Sequence, residues 1–182
     1  MKKNLFNKFI TKVIPSLAEK SAKLSKEEQE EQEKFKPDPN DPSDVTFAKV
    51  FTSNGGNFFY CENVENFYDH LKKLVQENEW KSTYCSNDNL KELLKPTKLS
   101  FETDHKIADS SINTCEFLIA FNGSVMVSGE QTKNLKIEHL PEAMIIVAYT
   151  SQIVKNISEG LRGIQNKYGK SRPSLVTTIR TK

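Results

Sequence analysis

A strand that reads AMIIVAY has no polar face. Residues 143–149 are apolar at nearly every position, and successive side chains of a strand point to opposite faces. Neither face can therefore be left to water. Such a strand belongs inside a sheet that is covered on both sides, as in α/β proteins. The chain must supply that cover, and its 182 residues with 36% hydrophobic content suffice for one α/β domain with a real core.

The segments before this strand supply it. SDVTFAKVFTSNGG reads as a helix that Ser43 or Asp44 caps and that Asn54-Gly55-Gly56 ends, since those residues tolerate positive φ. NFFYCE is a short apolar strand. Val64, Phe67, Tyr68, Leu71, Leu74 and Val75 then recur at helical spacing. WKSTYCS reads as a second strand, and NDNLKELLK as a short capped helix stopped at Pro96. Helix and strand alternate, which predicts a parallel sheet covered by helices. Further on, EFLIA and SVMVS are apolar runs around Phe121-Asn122-Gly123. Asn-Gly between apolar runs is a strong hairpin signal, because both central residues of the turn need positive φ. The expectation is an antiparallel pair inserted into the parallel pattern. After AMIIVAY, Thr150 or Ser151 is expected to cap a helix with Ile153, Val154, Ile157, Leu161, Ile164 and Tyr168 on its inner face, closed by Gly169. SLVTTI is a last strand.

Residues 1–43 differ from the rest. Leu5, Phe6, Phe9, Ile10, Val13, Ile14 and Leu17 fall on one face of a helical wheel, with lysines over much of the remainder. A polar run, KEEQEEQEKFK, and a proline-rich stretch, KPDPNDPS, follow. The expected organisation is an amphipathic arm, a solvated segment and a stiff linker over 1–43, then an α/β domain over 44–182. A basic amphipathic arm suits a membrane surface or a partner groove, or else packs on its own domain or stays mobile. Lys8 and Lys12 interrupt any apolar core of a signal peptide. No run is apolar enough for a membrane span, so the cytoplasm is the expected compartment. A net charge of +2 with 27% charged residues is no nucleic-acid signature.

Chemistry is harder to see. Cys61, Cys85 and Cys115 stand apart, with no C-x-x-C pair, and read as reduced buried thiols. His70, His105 and His139 are scattered without metal-ligand spacing. No metal or cofactor is expected. There is no phosphate loop, no dinucleotide fingerprint and no nucleophile elbow. Two places remain. IADSSINTCE is polar and leads into a buried strand, and loops at strand ends are where α/β folds hold ligands. There Asp109 and Glu116 can orient a ligand hydroxyl or pair with a cation, or simply cap turns. In the hairpin, Asn122, Gly123 and Ser124 offer close backbone approach and a hydroxyl for an anion, or are a plain turn. With Ser128 these make six candidate ligand-binding residues; no catalytic residue is identified.

Ala108-Asp109, Ile112, Ala120, Gly123-Ser124 and Leu140-Pro141 occur in an order that resembles the LUD domain, the core of lactate-utilisation protein C. The stretches FTSNGGNFFYCENVENF and AYTSQIV look like the short LUD proteins of Bacteroidetes-type bacteria. The resemblance runs from Asp44 onward. It implies an α/β, Rossmann-like fold with a mostly parallel sheet, flanking helices and a β-hairpin, related to sugar-phosphate isomerases, CoA-transferases and formyltetrahydrofolate cyclo-ligases, and a link to lactate or related organic-acid oxidation beside iron-sulfur or flavin redox proteins. The sequence departs from the family at Phe121, Asn122 and Met144. It reads IRTK where the family continues Gly-Pro-Ser-Arg-Thr-Ala-Asp-Ile. Two functions follow as expectations: an accessory subunit with redox partners, or a protein that by itself binds or converts a phosphorylated or carboxylated metabolite.

Overall fold

The computed structural model describes residues 8–13 and 37–181. Among the described residues ten strands form two sheets. The larger sheet contains β1 (Lys8–Val13), β2 (Asn57–Cys61), β3 (Thr83–Tyr84), β4 (Phe101–Glu102), β5 (Ser110–Thr114) and β8 (Ala143–Tyr149), in the order β2-β1-β8-β5-β3-β4. From β8 to β4 all neighbours are parallel, while β1 is antiparallel to both β2 and β8. The smaller sheet contains β6 (Phe117–Ile119), β7 (Ser124–Ser128), β9 (Ile153–Val154) and β10 (Val176–Ile179), in the order β10-β7-β6-β9. This is an α/β, Rossmann-like architecture with a second sheet added.

Strand β8 is covered on both faces, as its composition requires. Ile145 and Val147 face helices α2 (Val64–Glu77) and α3 (Asp88–Leu94), packing with Phe67, Leu71 and Leu90. Met144, Ile146 and Ala148 face the other way, onto Leu118, Val125 and Val127 of the small sheet and onto Phe47 and Phe51 of α1 (Ser43–Ser53). Side-chain amides start two of these helices: Asn63 Oδ1 accepts from Asn66 N–H at 2.8 Å, and Asn87 Oδ1 from Leu90 N–H at 3.0 Å.

The hairpin forms where expected, with β6 and β7 antiparallel. It does not lie in the parallel sheet but founds the second one. The cause is its own pattern. Leu118, Val125 and Val127 point to the large sheet, whereas Ile119 and Met126 point outward and need a separate cover, which Ile164 of α5 (Ile157–Tyr168) supplies. The layers are thus α2 and α3, large sheet, small sheet, α5.

Two other expectations are corrected. Residues 8–13 form strand β1, not part of an amphipathic helix. The segment KFITKV is rich in β-branched and aromatic residues, which favour strands, and β1 finds pairing partners on both sides. The rest of the expected arm and the charged run lie outside the described residues. The last helix begins later than expected. Ile153 and Val154 are spent on β9, which pairs in parallel with β6, so Asn156 is the cap, its Oδ1 accepting from Glu159 N–H at 3.0 Å. Gly160 and Ile164 form the helix's buried face, while Ile157 and Leu161 are exposed. Among the described residues no helix is long and apolar enough to cross a membrane.

Candidate functional site

The parallel strands β3, β5 and β8 end at the same edge of the large sheet. From β3 the chain moves outward to β4 and then returns to β5 on the other side of β3. That reversal opens a gap between the segments that follow β3 and β5, the usual ligand position in open α/β sheets. A crevice of about 540 Å³ lies there. Asn87, Asn89 and Leu90 line it from α3, Thr114 to Phe117 from the end of β5, and Tyr149 and Gln152 from the end of β8. Gln131 and Lys167 close it from the small-sheet side.

Its electrostatic centre is Glu116, whose side chain is fully buried. Glu116 Oε1 accepts from Ser128 Oγ at 2.7 Å, Gln131 Nε2 at 2.9 Å and Tyr168 Oη at 2.7 Å. Oε2 accepts from Lys167 Nζ at 2.8 Å. Burial by itself would push the carboxyl up. The hydrogen bonds from Lys167, Tyr168, Gln131 and Ser128 outweigh it and hold the group below the ordinary glutamate value. For Lys167 burial pulls down, but its bond to Glu116 wins and raises it above the usual lysine range. Both groups are therefore charged at neutral pH. A capping box and the last turn of α5 supply the donors. Ser128 caps the short helix α4 (Gly129–Thr132), and Gln131 returns its Oε1 to Ser128 N–H at 2.7 Å, a capping box. Gln131 thereby fixes its amide N–H₂ toward Glu116. Lys167 and Tyr168 come from the last turn of α5. Gln152 is held at both ends, accepting from Tyr149 N–H at 2.8 Å and donating to Cys115 O at 2.6 Å.

The chemical consequence is an asymmetry. Glu116 has its acceptor capacity taken by four donors, so it is a frame rather than a free base. Lys167 spends one N–H on Glu116, and its side chain is half exposed. Among the described residues that line the crevice, the cation offered to a ligand is this ammonium. Cys115 lines the crevice as well, but burial pushes its thiol far up, so it is no nucleophile at neutral pH.

The six candidate residues separate into three groups. Glu116 and Ser128 meet in the crevice. Asp109 lies at the opposite end of β5, where its Oδ2 accepts from Lys81 N–H at 2.7 Å and Ser82 N–H at 2.9 Å, tying the starts of β3 and β5 together. Those backbone bonds lower its carboxyl below the ordinary range. Asn122, Gly123 and Ser124 form the hairpin turn. Asn122 Oδ1 accepts from Ser124 N–H at 3.1 Å and Ser124 Oγ at 2.7 Å. Gly123 has φ +62°, and a β-carbon there would stand 2.8 Å from Phe51 N. The turn is glycine because α1 passes against it.

Lys167, Gln131, Gln152 and Asn87 were not legible as site residues. The spacing Ser128-x-x-Gln131 is a sequence signal for the capping box. Nothing local marks Lys167, which pairs with a residue 51 positions away. The three cysteines are unpaired and buried. Among the described residues no group of His, Cys, Asp or Glu side chains is placed to hold a metal ion. No protein-family model, curated protein or solved structure matches this chain.

Proposed function

We propose that this chain binds a small anionic metabolite in the crevice at the carboxyl ends of β3, β5 and β8, as a domain of the LUD type that its sequence resembles. The observation that carries this is the pairing of buried Glu116 with half-exposed Lys167 at the edge of a cavity of about 540 Å³, a size typical of metabolite sites. Burying a carboxylate is costly unless it is paired and hydrogen-bonded, and placing that carboxylate on a crevice wall beside a half-exposed ammonium favours a binding role. Leu90 and Phe117 receive the apolar part of the ligand, and Lys167 its carboxylate or phosphate. The unpaired thiols suit a cytoplasmic protein. A thermal-shift screen of small carboxylates and phosphate esters, run on the wild type and on Lys167→Gln, tests the site. Stabilisation of the wild type that the variant loses is the expected outcome. Equal stabilisation of both proteins would remove Lys167 from the site.

A second reading rests on a separate observation. Phe121, Ile157 and Leu161 are large apolar residues left exposed, and Phe121 N–H donates to Lys155 O at 2.9 Å, which sets the hairpin tip beside the start of α5. This patch suits an accessory subunit that docks an iron-sulfur or flavin redox protein in lactate or related organic-acid oxidation. Anaerobic affinity purification of wild type and of Leu161→Asp tests it: a redox protein recovered in fixed ratio by the first and lost by the second supports docking.

A further inference from the structure

At the other end of the large sheet, three lysines converge on one cavity. Lys72 belongs to α2, Lys81 to the loop ahead of β3, and Lys98 to the turn ahead of β4. Together with Trp80, Thr97 and Ser100 they line a space of about 230 Å³. The salt bridges formed by lysines among the described residues involve Lys49, Lys91, Lys95, Lys136 and Lys167, and none of these three.

Exposed lysines usually form a solvated face, but three observations set this cluster apart. The lysines come from separate segments, so no helical repeat places them together. The backbone that carries them is tied down: Asp109 holds Lys81 and Ser82, and Thr83 N–H donates to Ser100 O at 2.9 Å. Lys98 has φ +58° and sits in the left-handed region, which a residue with a β-carbon seldom adopts; its N–H donates to Lys95 O at 3.1 Å. Positive charges along a concave wall raise the local concentration of anions; of the acidic groups nearby, Asp109 acts electrostatically with Lys81. The cavity is smaller than the roughly 300 to 1,000 Å³ of whole-metabolite sites, so it suits one or two phosphoryl groups and little more.

We propose that this cavity is a second anion site, independent of the crevice, which takes the phosphoryl group of a phosphate or diphosphate, with Lys72, Lys81 and Lys98 as its cations and Trp80 as its wall. Lysine serves this role as a mobile point charge with three donors.

Trp80 is the chain's one tryptophan, so its fluorescence reports on this cavity directly. The full chain is titrated with inorganic phosphate, pyrophosphate and adenosine diphosphate at constant ionic strength, with chloride and acetate as controls. A saturable change with pyrophosphate, absent with the controls, is expected. Saturation by pyrophosphate alone indicates an inorganic ligand; saturation also by adenosine diphosphate indicates an ester. Lys72→Gln and Lys98→Asn are each expected to weaken binding about five- to tenfold, the asparagine being chosen because it tolerates positive φ. Lys167→Gln, in the crevice, leaves the signal intact. All three lysines are exposed, so the variants are expected to fold, and thermal melts check that they do. The proposal is overturned if no phosphate compound gives a saturable change, if the controls give the same change, or if both cavity variants bind as tightly as the wild type.

Discussion

Glu116→Gln tests the frame of the crevice. The two side chains have nearly the same shape, so packing is conserved and charge is what changes. Glutamine can still accept from Ser128, Gln131 and Tyr168 through its one oxygen, but those three bonds lose charge assistance. Its amide N–H₂ then faces Lys167 Nζ, donor against donor, at a contact now 2.8 Å long. A fully buried charge left without its partner costs about 3–5 kcal/mol. Here the stranded charge is Lys167, whose side chain is 53% exposed and returns to water, so that cost is largely avoided. Weakening three bonds at roughly 0.5 kcal/mol each, plus a residual mismatch at Lys167, gives a loss of about 2–3 kcal/mol. Urea unfolding at pH 7 measures it as a lower midpoint at unchanged slope. The pH dependence gives a second readout. The folded carboxyl lies below its ordinary value of 4.5. Its contribution is therefore fully present above that value and is lost as pH falls through the lower, folded one. Glu116→Gln removes that part of the acid slope. A variant as stable as the wild type, with an unchanged acid limb, would refute the assignment of Glu116 as the organising charge.

Gly123→Ala meets the α1 backbone, with Phe51 N at 2.8 Å and Phe51 Cα at 3.0 Å from the new carbon, and must hold φ +62°; a loss of about 2–4 kcal/mol by urea unfolding is expected. Among the described residues Ser111 Oγ is buried without a hydrogen-bond partner, so Ser111→Ala should be neutral or stabilising by up to about 1 kcal/mol; destabilisation in the same assay would mean that the hydroxyl is engaged. Asp109→Ala removes the acceptor of two backbone N–H groups and should lower stability by about 1–2 kcal/mol while leaving calorimetric affinity for a crevice ligand unchanged.

The fold was readable where a local pattern answers to one cause. AMIIVAY demanded cover on both faces, and the structure provides a helical layer on one side and a second sheet on the other. Asn122-Gly123 marked the place of the turn, although Gly123 alone of the two takes positive φ. The second sheet was not readable, because the outward set of Ile119 and Met126 reveals its need for α5 only once the hairpin is placed. Strand β1 was misread because its apolar residues satisfy a helical wheel as well as a strand, and pairing with β2 and β8 decides between them. In the candidate site, Glu116 and Ser128 were visible as polar residues flanking buried strands. Their partner Lys167 was not, since tertiary contact alone brings it to Glu116. Asp109, Asn122 and Ser124 drew attention for the same composition but serve the backbone around them.

The central claim is that the crevice holds an anionic ligand against Lys167. The most direct test is a titration of the isotope-labelled full chain with the best ligand of the screen, followed residue by residue in amide spectra. Progressive, saturable shifts concentrated at Leu90, Glu116, Phe117, Gln152 and Lys167, and lost in Lys167→Gln, are the predicted result. Shifts confined to the hairpin turn or the Lys72–Lys98 end of the sheet, or no saturable shift with any carboxylate or phosphate ester, would contradict it.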